Sequence, residues 1–133
     1  MKKGIVLLLI LLSLVLLLSG CVGNDDTIQT YVIANESYLV QDDLEAADQP
    51  EFLNAGKTVY ASIHFIESPQ GMEYGVKWYL NDAEIKRETK ATQKDLQDII
   101  VYELEAENVV AGTLKLEVSY KDMVLLNKQI SIQ

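Results

Sequence analysis

Cysteine and histidine are the side chains best suited to nucleophilic, acid–base and metal chemistry, and this sequence has one of each, Cys21 and His64. Histidine-assisted catalysis needs a nucleophile and an orienting acid beside the ring, and the sequence contains no Gly-x-Ser-x-Gly motif that would expose a nucleophilic serine. A zinc site is normally built from several Cys and His ligands, and one residue of each type does not supply them. We therefore predict no catalytic residues, no metal site and no cofactor, and we expect His64 to be a surface histidine on the polar face of a strand.

Acidic residues are the second group that could do chemistry, and five of them are concentrated in one stretch: Asp42, Asp43, Glu45, Asp48 and Glu51. A calcium-binding loop places ligand oxygens at alternating positions and has a glycine at its sharp turn, whereas this stretch has no glycine and a different spacing. A pair of carboxylates could also hydrolyse glycosides, but such enzymes need a deep cleft. We therefore expect an acidic loop or a single helical turn here, and a hydrolase is the least favoured function.

Seven tyrosines are the remaining candidates for recognition. Tyrosine gives a large contact area at a low entropic cost and is enriched in binding surfaces. Tyr60 and Tyr79 fall on the predicted polar faces of their strands, so these two and His64 are the candidate binding residues. The alternative explanation is that β-strands favour tyrosine through conformational propensity alone.

The position of Cys21 is explained by the residues before it. Two lysines precede an apolar stretch over residues 4–18, and two small residues follow it. This order is typical of a secretory signal peptide, which we predict over residues 1–20. The apolar stretch is shorter than the ~20 residues that a membrane-spanning helix needs. An extension through Val22 nearly reaches that length, so an uncleaved membrane anchor is the alternative.

The residues Leu18-Ser19-Gly20-Cys21 resemble the lipobox of prokaryotic lipoproteins. The resemblance implies that cleavage leaves Cys21 as the first residue and that its thiol carries a diacylglycerol group. Each buried CH2 group contributes about 0.8 kcal/mol, so two acyl chains give durable attachment where one chain anchors only marginally. The resemblance also implies a location outside the cytoplasm, on the outer face of the cell membrane or in the outer membrane of a cell with two membranes. A lipidated Cys21 leaves no thiol for a disulfide within the chain.

The charge of the chain restricts its partners. Lys2 and Lys3 are the only charged residues before Cys21, so the remainder has nine basic and twenty acidic residues and a net charge of −11. Binding to nucleic acid requires lysines and arginines that neutralise phosphates, so we predict no nucleic-acid partner. The same excess of carboxylates disfavours flat adhesion of the domain to an anionic lipid surface.

The residues after the leader predict a lipidated tether over 21–27 and one all-β domain over 28–133. The strongest strand pattern covers residues 58–66, where apolar and polar side chains alternate. Further strands are predicted over residues 28–33, 72–80, 84–88, 114–120 and 124–132, with turn residues between them. Lys128 interrupts the apolar face of the last strand, which predicts a bulge or edge exposure at that position.

Residues 91–108 allow two interpretations. Thr92 followed by Asp95 resembles a helix N-cap with an acidic third residue, and the leucines and isoleucines that follow could share one helical face. The β-branched run in the same stretch favours a strand. We predict a helical turn over residues 92–97 and a strand over residues 99–105.

Three segments, NAGKTVYASIHF, YGVKWYLND and AGTLKLEVSYKDMVLLNKQISI, resemble strand B, strand C and the F–G hairpin of immunoglobulin-like domains in exported bacterial proteins. Trp78 falls where such domains place their core tryptophan. The resemblance implies an immunoglobulin-like antiparallel β-sandwich of about seven strands. Two features differ from the pattern: the paired cysteines of strands B and F are absent, and Leu114 occupies the place of the tyrosine expected at the E–F corner.

The predicted function is therefore a non-catalytic binding or interaction module anchored to the membrane. It would recognise another envelope protein or an extracellular ligand through a sheet face, an edge strand or loops. The alternative is a structural or accessory subunit of a larger envelope complex. An exposed apolar strip on an edge strand would favour the accessory subunit, because such strips rarely remain uncovered.

Overall fold

The computed structural model describes residues 27–133, so the leader, the lipobox and Cys21 lie outside the described residues. The strands within this range are β1 (Ile28–Ala34), β2 (Phe52–Leu53), β3 (Val59–Ser68), β4 (Glu73–Leu80), β5 (Ala83–Ala91), β6 (Leu96–Leu104), β7 (Gly112–Tyr120) and β8 (Met123–Ile132). Helix α1 covers Gln41–Ala46, and a 3-10 turn covers Ala106–Asn108. Neither helical segment of this range has the length and apolar character needed to span a bilayer.

The strands form two sheets, one in the order β1-β3-β6 and one in the order β2-β8-β7-β4-β5. All pairs are antiparallel except β2 with β8. With β1, β3 and β6 as strands A, B and E, the second sheet contains strands G, F, C and C′ in the order of an immunoglobulin-like domain. The prediction of an all-β immunoglobulin-like sandwich is confirmed. The additional strand is the two-residue β2, which the sequence did not predict.

The main core lies between the two sheets and is built from the apolar phase of each strand. Trp78 on β4 is fully buried, as predicted. The rings of Phe65 and Tyr74 stack with their centroids 4.0 Å apart. The Tyr102 hydroxyl donates a hydrogen bond to the Tyr74 carbonyl at 2.6 Å. Burial raises the pKa of the Tyr102 phenol well above its ordinary value.

A second, smaller core lies on the outer face of the β1-β3-β6 sheet. Leu44 of α1 is fully buried there against Val32 and Ala34 of β1. Of the two alternatives for the acidic stretch, a loop or a helical turn, the structure contains the helical turn, and Leu44 in it is buried. Its carboxylates face solvent, while its one leucine packs on the sheet. Because a helix of six residues is not stable on its own, this packing stabilises α1.

The prediction of a helical turn over residues 92–97 is wrong. The Thr92 hydroxyl does not cap a helix; it donates to the Pro69 carbonyl at 2.8 Å and accepts the Met72 N–H at 3.1 Å. These bonds hold the β3–β4 turn, and the two partners of Thr92 lie 20 and 23 positions away along the chain. The predicted strand over residues 99–105 is confirmed as part of β6.

The prediction for Lys128 is partly right. Residue 128 lies on an edge strand, because β2 pairs only with Ser131 and Ile132 of β8. The bulge, however, falls at Leu125, where the register between β7 and β8 shifts.

Candidate functional site

The structure does not bring the three predicted binding residues together. Tyr60 and His64 share the outer face of β3, whereas Tyr79 lies half-buried on the outer face of the other sheet, with the Lys115 Nζ 4.3 Å from its ring centroid. The expectation of a surface histidine is wrong, since His64 is only 2% exposed. The segment around α1 covers this part of the sheet, and the strand pattern alone does not reveal a cover that comes from elsewhere in the chain.

The surroundings of His64 do not form a catalytic arrangement. Its Nε2 lies 3.0 Å from the Gln97 Oε1, and its buried Nδ1 has no hydrogen-bond partner. The nearby Asp98 carboxylate does not orient the ring, since it accepts the Gln93 N–H at 2.7 Å and the Ile99 N–H at 2.9 Å. Within residues 27–133, no three His, Cys, Asp or Glu side chains are grouped so that they could hold a metal ion.

A groove follows the outer face of β6. Ile99 and Val101 of β6 line it together with Tyr60, which neighbours β6 across the sheet. Leu39 forms one side, and the end of β5 around Lys90 forms the other. We call this hollow of about 540 Å³ the β6 groove.

The β6 groove continues into a second hollow of about 330 Å³ at the start of β6. Leu39, Asp98 and Ile99 line both hollows, and His64 and Gln97 line only the second. The unpartnered Nδ1 of His64 therefore belongs to a side chain at this end of the groove. The combined surface has an apolar centre and polar ends, which suits a ligand that carries both kinds of group.

The segment that carries Leu39, the wall of the groove, is attached to the sheet beneath it at two points. The Tyr38 N–H donates to the Ser62 Oγ of β3 at 2.9 Å, immediately before Leu39. Leu44 anchors the chain on the other side of the wall. As a result Leu39 is 72% exposed and Val40 is 56% exposed, although both belong to a segment that is fastened at two points.

The open edge of β6 is closed to strand addition by two lysines. Lys90 donates to the Val101 carbonyl and Lys86 to the Glu103 carbonyl, each at 2.7 Å. Lys86 also bonds the Glu105 carboxylate at 2.6 Å, and this hydrogen bond lowers the pKa of Glu105. Unpaired edge carbonyls are a template for another strand, and lysines on an edge are a common protection against it.

Two other edge strands, β1 and β8, are interrupted in different ways. The Gln49 side chain accepts the Ile33 N–H at 2.8 Å and donates to the Ile33 carbonyl at 2.7 Å, which satisfies the free edge of β1 at Ile33. The register of β1 is also irregular at Gln29. On β8, the bulge at Leu125 and the charge of Lys128 interrupt the edge. Among the modes considered from sequence, recognition by a face or groove therefore fits better than recognition by a paired edge.

The groove residues Leu39, Ile99 and Val101 were not predicted as site residues. Leu39 and Ile99 are sixty positions apart in the chain, so only the fold brings them together. The sequence contains one signal that could have identified the wall, namely two adjacent apolar residues, Leu39 and Val40, in an otherwise polar stretch.

Comparisons with known proteins give no family for this chain. No family model matches it, and no curated protein matches it. An immunoglobulin-like protein from Pseudomonas aeruginosa is 12% identical with a TM-score of 0.47, and the match covers 84% of this chain and 100% of the other. The CARDB domain of a Pyrococcus furiosus protein, solved with two metal ions, is 11% identical with a TM-score of 0.42, over 84% of this chain and 95% of the other.

A β-glucosidase from Listeria innocua, solved with glucose, is 14% identical with a TM-score of 0.44 over 62% of this chain. The chain spans only 15% of the length of that enzyme. At these identities and TM-scores the comparisons assign no activity, ligand or partner to the chain.

Proposed function

We propose that this protein is a non-catalytic binding module that takes its ligand in the β6 groove and is held at the membrane by a lipid on Cys21. The observation that carries the proposal is Leu39, a large apolar side chain that is fixed in position and 72% exposed at the wall of a preformed groove. Exposed apolar groups that border a concave surface mark interaction sites more often than isolated ones do.

The chemistry of the groove indicates what kind of ligand it takes. Ile99 and Val101 offer apolar contact at its centre, and charged groups of both signs, such as Lys90 and Glu103, border it. A short segment of an envelope protein, with one apolar side chain between hydrogen-bonding groups, matches this pattern. Because the bordering charges have both signs, the affinity should depend only weakly on salt.

Site-specific photo-crosslinking in cells tests the groove. A benzoyl-phenylalanine at position 39 should give a discrete adduct, and the same residue at position 110 is the control because Val110 is also exposed, at 48%. Val101→Lys, which places a charge in the groove, should abolish the adduct at position 39. Identical adducts from positions 39 and 110, or an adduct that survives Val101→Lys, would refute the groove as the binding site.

The lipid anchor is supported by the residues Leu18-Ser19-Gly20-Cys21. We expect that Cys21→Ser abolishes labelling by radioactive palmitate and releases the protein from the membrane fraction. The matched control is Ser19→Ala, which keeps a small residue before the cleavage position and should keep the label. Membrane retention of Cys21→Ser with an intact leader, determined by mass spectrometry, would show an uncleaved anchor instead.

An accessory subunit is the second candidate function, and one observation favours it. Met123 and Val124 begin the edge strand β8 and are 56% and 51% exposed. If they dock onto a larger complex, Met123→Glu should release the protein from a detergent-solubilised assembly on native gels. Val101→Lys should leave that assembly intact, so the two variants separate the two functions.

A further inference from the structure

Gly75 lies in β4, on the outer face of the five-stranded sheet. Neither its backbone conformation nor a lack of room for a side chain explains why a glycine occupies this position. Its φ is not in the left-handed region that favours glycine. A Cβ at this position would lie 3.6 Å from the Ser119 Oγ and 3.6 Å from the Thr89 Oγ1, which is ordinary van der Waals contact. Glycine in a strand interior is destabilising relative to alanine, and it often marks a place where a ligand approaches the backbone closely.

The absence of a side chain at Gly75 leaves a depression of about 210 Å³ in the sheet face. Ser119 of β7 and Thr89 of β5 flank Gly75 on the two neighbouring strands. Lys77, two positions along β4, and Lys121, at the end of β7, also line the depression. The lining of the depression therefore combines two hydroxyl-bearing residues with two lysines, and the Lys121 Nζ lies 5.3 Å from the Tyr120 ring centroid.

The charge at the depression is opposite to that of the protein. Within the described residues, no carboxylate lies within 4 Å of the ammonium of Lys77 or Lys121, although the chain has twenty acidic and eleven basic residues. The other charged groups that line the depression are already paired. Arg87 forms an ion pair with Glu84 at 2.8 Å. The Glu88 carboxylate lies 3.4 Å from the Lys86 Nζ and 3.3 Å from the Lys90 Nζ.

We propose that this depression binds a tetrahedral oxyanion, the phosphoryl or sulfate group of a larger ligand. Lysine ammoniums bind phosphate as compact point charges, and the hydroxyls of Ser119 and Thr89 can donate to the remaining oxygens. The site is on the sheet opposite the β6 groove, so it is independent of the proposed function. Because both ammoniums are at the surface, the binding is weak and depends on salt.

Titration of the full chain in non-ionic detergent with inorganic phosphate, followed by amide NMR, tests the site. We expect saturable shifts of the Gly75 and Ser119 amides at millimolar phosphate, and an affinity severalfold lower in about 0.5 M NaCl. Inorganic sulfate should give the same pattern. Shifts spread over the chain without saturation at Gly75 would overturn the proposal.

Three variants make the test specific. Gly75→Val fills the depression and raises β-propensity, so it should weaken phosphate binding at least tenfold without lowering the melting temperature. Lys77→Gln should weaken binding severalfold, whereas the control Lys115→Gln, on the same face, should not. A Gly75→Val protein that binds phosphate as well as the original, or equal losses for Lys77→Gln and Lys115→Gln, would contradict the site.

A final pair of titrations identifies the source of the oxyanion. Glycerol 3-phosphate represents a soluble phosphate ester, and vesicles of phosphatidylglycerol represent a lipid headgroup. Shifts of Gly75 with either ligand support the site and assign its source, and the absence of shifts with both would overturn it.

Discussion

Leu44→Ala is the change that tests how the wall of the β6 groove is held. Leu44 is fully buried on the outer face of the β1-β3-β6 sheet, in a small core with Val32 and Ala34 that is separate from the main core. Helix α1 has six residues, and isolated helices shorter than ~12–15 residues are marginal in water. The segment therefore stays closed because of Leu44 and a few hydrogen bonds, so we expect the truncation to open the segment without unfolding the sandwich.

The magnitude follows from the contacts. Truncation of a buried leucine to alanine costs about 2–5 kcal/mol, and the lower half of this range applies because so small a core can collapse around the gap. The bonds that remain are the Tyr38 N–H to the Ser62 Oγ and the two bonds between Gln49 and Ile33. Each contributes about 0.5–1.5 kcal/mol. A loss of about 2–3 kcal/mol raises the opening equilibrium of the segment by a factor of about 30–150.

Hydrogen exchange with mass spectrometry measures this opening directly. Amides over residues 38–46 should exchange about 30–150 times faster in Leu44→Ala, while those of β4 and β7 should be unchanged. Leu39→Ala is the matched control, since Leu39 is exposed and its truncation should alter neither exchange nor melting. If the small core instead unfolds together with the sandwich, a loss of 2–3 kcal/mol lowers the melting temperature by about 10–20 °C. That result, with exchange raised throughout the chain, would refute the view that α1 is a separable cover.

Three further outcomes are expected. Trp78→Ala should lower the free energy of unfolding by about 3–5 kcal/mol, measured with denaturant. Trp78→Phe should lower it much less. The buried Nε1 of Trp78 has no hydrogen-bond partner, and its removal also removes a desolvation cost of about 1–3 kcal/mol. Burial raises the pKa of Tyr102, so its contribution to stability is fully present below about pH 10, the ordinary tyrosine pKa, and is lost as the pH rises towards the pKa of Tyr102 in the folded state. Ultraviolet titration should show one tyrosine that ionises only with unfolding. The lowered pKa of Glu105 gives the opposite dependence, with stability present above the ordinary glutamate value and lost as the pH falls through the folded-state value. This loss should be below about 1 kcal/mol since the Glu105 side chain is 47% exposed, and Glu105→Gln should remove it.

The sandwich was predictable because each strand buries one face, and burial of one face leaves a period of two in the sequence. Residues 58–66 and 72–80 show this period clearly, and both segments are strands with the predicted side chains inside. Trp78 was placed correctly for the same reason. The pattern reports only that a side chain lies on the face opposite the core; it does not report what covers that face.

The incorrect predictions share this origin. His64 has the phase of a surface residue, but the segment around α1 covers it, and Leu44 alone in an acidic stretch gives no periodic signal. Thr92 has the local features of a helix cap, but its hydroxyl bonds Pro69 and the Met72 N–H across a neighbouring turn. In each case the deciding partner is distant in sequence, so tertiary contact overrides the local pattern. The same holds for the β6 groove, whose wall and floor come from segments that only the fold brings together.

The two lysines at the free edge of β6 affect both the stability of this domain and the way in which it could bind a partner. A domain whose one cysteine is predicted to carry lipid has no disulfide to stabilise it, so it depends on its core and on protected edges. Lys86 and Lys90 donate hydrogen bonds to carbonyls of β6, where they prevent another strand from pairing. A partner that added a strand there would have to displace two charge-assisted hydrogen bonds, each worth about 1.5–3 kcal/mol, before it gained any backbone pairing. A ligand that enters the groove beside β6 displaces neither bond. The contacts that protect the edge therefore favour the proposed binding in the β6 groove, which Leu39 and Ile99 line.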